Sequence, residues 1–182
     1  IITMDNGCVC CSVRGDLVRT FGTLVHRRKD FQAVIIETTG LADPAPIVFT
    51  FNSNSLIQDN FRIDSVVCLV DAKHVGLHLD EVKPDGDVNE AESQLAFADR
   101  IVLNKIDLVD PDELQEIKDR IKTINTFATI IMSERSRVPL DQILALNTFS
   151  LAKLEEIDPT FMEPEEETIE DHSHAVAHVH DE

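Results

Sequence analysis

The stretch Ile101-Val-Leu-Asn-Lys-Ile-Asp107 decides the reading of this chain. Ile101–Leu103 is a β-favouring apolar run with no polar alternation, the pattern of a strand buried on both faces of a parallel sheet. A polar Asn-Lys-x-Asp tetrad follows it directly. In open α/β sheets ligands bind at the carboxyl ends of the strands, so the tetrad stands where a ligand would. The Asp107 carboxylate could accept both donors on the guanine Watson–Crick edge. Adenine offers no such pair and would leave buried groups unpaired. Asn104 would tie the loop to its neighbours, and the Lys105 stem would lie along the base face. The bland alternative is a surface turn, in which Asn, Lys and Asp are common.

Three further runs read like Ile101–Leu103: Ala33–Ile36, Val66–Val70 and Thr129–Met132. Helical patterns lie between them. Val13–Arg28 carries a stripe of Val13, Leu17, Phe21, Leu24 and Val25. Glu90–Ala98 is a second helix and Leu140–Leu146 a short one. Pro111–Lys122 has Asp110 as N-cap, Pro111 at its first position and acids in its first turn. Strands alternating with helices predict an α/β fold, a doubly wound, mostly parallel sheet with flanking helices. All four strand ends are polar. Glu37-Thr-Thr-Gly40 ends the first run: a carboxylate there could hold Mg2+ through water, and Gly40 could bring its N–H close to a terminal phosphate. These two are the candidate catalytic residues, against the alternative of a helix cap and turn. Asp71 reads as a structural cap. Ser133-Glu134-Arg135 could close backbone amides over a base edge, or be an ordinary strand-to-helix turn.

The bulk composition narrows the partners. The formal charge of −18 makes general nucleic-acid binding unfavourable and divalent cations better matched. No run approaches the length of a membrane span. No Lys or Arg follows Lys153, and eleven acids crowd the residues after 154. The expected organisation is therefore a domain over residues 1–154 and an acidic, His-rich, disordered linker or tail over 155–182. His172, His174, His178 and His180 in that tail could hold metal loosely or belong to a biased linker. His26, His74 and His78 read as isolated surface histidines, with no helix expected around the last two.

Gly7-Cys8-Val9-Cys10-Cys11 is the most unusual segment. Three thiolates in four positions suit a soft metal, zinc first, with cobalt or another transition metal possible. They would leave a fourth position open, which favours transfer over storage. A local redox pair and three structural thiols remain the alternatives, though neighbouring cysteines make strained bridges. Clustered rather than dispersed cysteines point to a reducing compartment, hence a cytoplasmic location, with organelle stroma or nucleus also open. Cys68 lies inside an apolar run and reads as core.

Taken together, G-C-x-C-C, E-T-T-G, Q-L-A-F-A-D-R-I-V-L-N-K-I-D, S-E-R-S and an acidic His-rich tail resemble the CobW-type metallochaperone GTPases over essentially the whole chain. The resemblance implies a P-loop GTPase domain that delivers zinc from its cysteine site to client metalloproteins under the control of GTP. It implies that Cys8, Cys10 and Cys11 are the metal ligands, that Glu37 belongs to the switch and magnesium site, and that Asn104, Lys105 and Asp107, with Ser133 beside them, read guanine. Gln94 would position rather than catalyse. None of the six glycines is followed by Lys, so the family's phosphate-binding G-x-x-x-x-G-K-[ST] loop is not in this sequence, nor is the domain that follows the linker. A partial GTPase domain is therefore expected, one that binds GTP weakly and does not hydrolyse it alone. The competing expectation is a non-enzymatic zinc-buffering module.

Overall fold

The computed structural model describes residues 11–38, 40, 42–84, 89–152 and 156, with side chains from residue 14 onward. Three parallel strands form its sheet: β1 (Val67–Asp71), β2 (Arg100–Asn104) and β3 (Thr129–Met132), in the order β1-β2-β3. The register sets Asp71 opposite Asn104 and Leu103 opposite Met132, so the polar residues after the strands gather at one end. Each parallel connection carries helices, as strands running the same way require. α4 (Val75–Leu79) and α5 (Glu90–Phe97) lie between β1 and β2, and α6 (Pro111–Ile124) between β2 and β3.

The main core lies against one sheet face. Cys68, Val70, Ile101 and Leu103 meet Leu95 of α5 and Ile121 of α6. Ile101, Leu103 and Ile121 are wholly shielded from solvent. At about 25 cal/mol per Å² of apolar surface, each such side chain contributes roughly 1.5–3 kcal/mol. α6 starts where the sequence says it should. The Asp110 carboxylate accepts the N–H groups of Asp112 (3.0 Å) and Glu113 (2.8 Å), with Pro111 needing no partner. It ends at Asn125, a buried side chain that accepts from the Phe127 and Ala128 N–H groups and donates to the carbonyls of Leu95, Ala96 and Ala98. One residue thereby joins α6, β3 and the end of α5.

A second layer is helical. α1 (Cys11–His26), α2 (Ala45–Ser53) and α3 (Ser55–Gln58) close over Phe21, which meets Phe51 and Phe61 edge-on at 4.9 and 4.8 Å. Leu17 and Ile57 complete this core. The Asn54 side chain accepts the Ile57 N–H and so separates α2 from α3.

Four expectations change. Ala33–Ile36 forms neither strand nor helix and pairs with no strand among the described residues, and Ile35 stands 77 % exposed. An apolar run becomes a strand only where a ladder partner meets it. β1 is buried on one face only: Cys68 and Val70 face the core, while Leu69 is 62 % exposed. Among the described residues nothing covers that outer face. Leu140–Leu146 is not a helix but a 3-10 turn at Leu140–Gln142. Beyond it Ala145 and Asn147 take positive φ, and the Asp64 carboxylate accepts from the Leu146 and Asn147 N–H groups at 3.0 and 2.8 Å. That clip competes successfully with helix hydrogen bonding. Finally, α2, α3 and α4 were not expected. His74 and His78 therefore sit on a helix, His74 at the N-cap of α4. The α/β class and the parallel sheet stand as read.

Candidate nucleotide site

β2 delivers the Asn-Lys-x-Asp tetrad to the carboxyl end of the sheet. Asn104 is buried, at 7 % exposure, and its side chain bonds to the loop after β3 through both its oxygen and its nitrogen. Its Oδ1 accepts the Ser136 N–H at 2.8 Å, and its Nδ2 donates to Ser136 Oγ at 2.9 Å. That loop is strained: Arg135 and Ser136 are consecutive left-handed residues, both at φ 53. Non-glycine residues pay about 1–2 kcal/mol each for this conformation. Asn104 therefore holds one loop in a shape it would otherwise leave. Ser133 continues the ladder by donating its N–H to Leu103 O (2.9 Å), and its carbonyl accepts the Ile106 N–H at 3.4 Å. The two loops are thus bound together at both ends.

Between them opens a cavity of about 390 Å³, lined by Ile106 and Asp107 from one loop and by Met132–Arg135 and Arg137 from the other. That volume lies in the range of small-ligand sites. The Asp107 carboxylate is exposed to it and so is available to a ligand. Ser133 Oγ donates to Arg137 O at 3.3 Å, so that hydroxyl proton is spent within the loop.

Lys105 turns the chain with φ 62 and ψ 32, and its ammonium reaches Asp71 Oδ2 at 2.7 Å. The same oxygen takes a hydrogen bond from His74 Nδ1 at 2.9 Å, while Oδ1 accepts the Lys73 N–H. Partial burial alone would raise the Asp71 carboxyl. The hydrogen bonds from Lys105, His74 and the Lys73 backbone outweigh it and bring the group down to about 2. Asp71 is thus more than the cap its sequence position suggested. It anchors the lysine of the tetrad. Its only sequence signal was its place at the tip of an apolar run; the register is what sets it beside Asn104.

Asn104, Lys105, Asp107 and Ser133 are therefore brought together. Glu37 and Gly40 lie on a separate segment. Glu37 is exposed at the end of the apolar run Ala33–Ile36, and Gly40 takes φ 53 with open space where a Cβ would lie, a conformation that suits glycine. The Gln94 side chain donates to the carbonyls of Gly40 (3.2 Å) and Ala42 (2.8 Å), which the sequence signalled only as a positioning role without naming its target. Cys8 and Cys10 lie outside the described residues, as do His172, His174, His178 and His180; Cys11 is the first residue of α1, its side chain likewise outside them. Among the described residues no three His, Cys, Asp or Glu side chains form a metal-binding group. Cys68 is buried in the sheet core, and that burial pushes its thiol up to about 11. No helix among the described residues is long and apolar enough to cross a membrane.

The comparisons with known proteins agree with this geometry. The zinc-bound YjiA GTPase from Escherichia coli superposes with a TM-score of 0.60 at 29 % identity, over 74 % of this chain and 40 % of that one, which gives the chain a P-loop GTPase fold. In sequence, zinc chaperone YjiA of E. coli is 32 % identical over 83 % of this chain and 46 % of its own length. The zinc chaperone CobW of a Sinorhizobium species is 31 % identical over 96 % of this chain and 53 % of its own. Zinc-regulated GTPase metalloprotein activator 1 of Saccharomyces cerevisiae is 28 % identical over 86 % and 40 % respectively. The chain thus spans about half the length of these relatives, or less. The profile of the CobW/HypB/UreG nucleotide-binding domain matches residues 1–132, most of the sequence. With a buried strand that ends in the Asn104–Asp107 tetrad and a family profile that spans that strand and tetrad, the chain belongs to the CobW/HypB/UreG nucleotide-binding-domain family.

Proposed function

We propose that this chain is the guanine-reading part of a GTP-dependent zinc metallochaperone. The observation that carries the reading is the Asn104 clamp on Ser136, which holds two loops around a cavity with Asp107 at its rim. Asp107 accepts both donors of the guanine edge, Asn104 and Ser133 keep the closing loop in place, and the Lys105 stem covers a base face. Glu37 and Gly40 serve the phosphate side. Their donor set fits magnesium: one exposed carboxylate suits an ion that keeps several waters and takes its other ligands from phosphate. When bound, that ion neutralises charge on the phosphates. Residues 1–154 form the nucleotide domain and 155–182 an acidic tail.

Zinc is the cargo. Cys8, Cys10 and Cys11 supply three soft donors and leave a position open to a client metalloprotein. The names of the relatives, zinc chaperones and a zinc-regulated GTPase metalloprotein activator, support that role. Coupling is tested by titrating zinc into the purified protein with GDP, with a non-hydrolysable GTP analogue and without nucleotide. Zinc affinity should differ between the two nucleotide states and fall on Cys10→Ser. Equal affinity in all three states would remove the nucleotide control, and zinc binding indifferent to Cys10→Ser would remove the cysteine site.

A further inference from the structure

The clasp between α5 and the Gly40–Asp43 loop has no part in base reading. Gln94 spends both N–H bonds of its amide on that loop, at the carbonyls of Gly40 and Ala42, 54 and 52 residues earlier in the chain. Its neighbour Ser93 donates to Asp43 Oδ1 at 2.8 Å, an oxygen that also accepts the Ala45 N–H at the start of α2. Among the described residues these three bonds are the side-chain ties that fasten the loop to the sheet layer. A Cβ at Gly40 would meet nothing within 4 Å, so the space beside it is open.

The clasp itself is firmly mounted. At its start, Asn89 caps α5 by accepting the Glu92 N–H, and its amide donates to His78 O at the end of α4. At its end, the Asn125 amide grips the carbonyls of Leu95, Ala96 and Ala98. α5 then runs through Asp99, which accepts the Val66 N–H, straight into β2 and the base reader. The Gly40–Asp43 loop is thus pinned by a side chain on a helix that is itself tied down at both ends.

We propose that Gln94 is a positioning residue for the triphosphate-sensing loop, holding Gly40 ready for the terminal phosphate of a guanine nucleoside triphosphate. The inference rests on the guanine-nucleotide reading above. Base contacts are common to GDP and GTP, whereas Gly40 serves only the third phosphate. Loss of the clasp therefore acts on the ratio of the two affinities, because the loop's ordering must then be met from triphosphate binding alone. Two hydrogen bonds of ordinary strength correspond to about a tenfold change in that ratio.

The test uses Gln94→Glu, which keeps the shape of the side chain and removes both donors. Binding of GDP and of a non-hydrolysable GTP analogue to the purified protein is measured by competition with a fluorescent guanine nucleotide, and amide hydrogen exchange is followed at Ala42 and Asp43. The expected result is a triphosphate-to-diphosphate affinity ratio about tenfold lower, with faster exchange at Ala42 and Asp43 and unchanged exchange in α5. Gln94→Glu with the wild-type ratio overturns the proposal, as does an equal loss for both nucleotides, which marks a purely structural role. A wild-type protein that binds neither nucleotide overturns the guanine reading itself, and this inference with it. Gln94→Ala is the second variant, and it should match Gln94→Glu if donation rather than packing is what counts.

Discussion

Replacing Asn104 by Ala removes that residue's two side-chain hydrogen bonds among the described residues, to the Ser136 N–H and Oγ at 2.8 and 2.9 Å. Such bonds contribute about 0.5–1.5 kcal/mol each. Ser136 is exposed, so water can take over its groups and no buried donor is orphaned. The loss is then about 1–3 kcal/mol. Against it stands the cost of two left-handed residues, Arg135 and Ser136, together about 2–4 kcal/mol. With the clamp gone these bonds no longer offset that strain, so the loop should relax away from the cavity. The ladder bonds of β2 are backbone bonds and survive, including Ala72 N–H to Asn104 O at 2.9 Å. The fold should therefore persist, with a melting temperature lower by a few degrees, while guanine-nucleotide affinity falls about tenfold or more. Fluorescence titration with a labelled GDP measures the second effect and thermal unfolding the first. Adding Arg135→Gly, which relieves one left-handed position, should recover part of the affinity. Affinity within twofold of the wild type in Asn104→Ala would refute the argument that the clamp shapes the site.

Other consequences follow from particular contacts. Asp71→Asn should weaken guanine-nucleotide binding several-fold in the same titration by freeing the Lys105 ammonium, which now sits 2.7 Å from the carboxylate. The Asp71 carboxyl is held at about 2, below its ordinary 3.8, so it favours the folded chain when ionised. That stabilisation is present at neutral pH and is lost as pH falls through about 4 toward 2; chemical denaturation across this window should show a shallower acid loss in Asp71→Asn. Asn125→Ala strips partners from three carbonyls and two N–H groups in a buried position and should cost at least about 3 kcal/mol, read as a markedly lower denaturation midpoint. Cys68, with its thiol pushed to about 11 and its side chain buried, should react with a thiol reagent at pH 8 only once denaturant unfolds the sheet.

The parts legible in the sequence were those written in consecutive residues. Ile101–Asp107 announced a strand and a polar tip, and both are there. The start of α6 followed from Asp110-Pro111-Asp112-Glu113, because caps act over three residues. Partner choice over long separations was not legible. Nothing local tells that Asn104 will find Ser136, 32 residues on, or that Gln94 will reach back to Ala42. Asp71 looked like a cap because half of what it does, accepting the Lys73 N–H, is capping; its bond to Lys105 depends on the register that sets Asp71 beside Asn104. Ala33–Ile36 misled because strand composition reports apolar burial, whereas a strand also needs a ladder partner. α2 was not legible because Ile47, Val48 and Phe49 favour strands, although Pro44-Ala-Pro46 allows a helix start.

The central claim is that Asp107 reads the guanine edge from the cavity between the β2 and β3 loops. Guanine presents two donors to a carboxylate; xanthine replaces the amino donor with a carbonyl acceptor, which an amide can satisfy. Competition of GDP and xanthosine diphosphate for wild-type and Asp107→Asn protein tests this directly. The account predicts that Asp107→Asn loses GDP affinity and gains affinity for xanthosine diphosphate, reversing the preference. An unchanged preference for GDP in Asp107→Asn would contradict it.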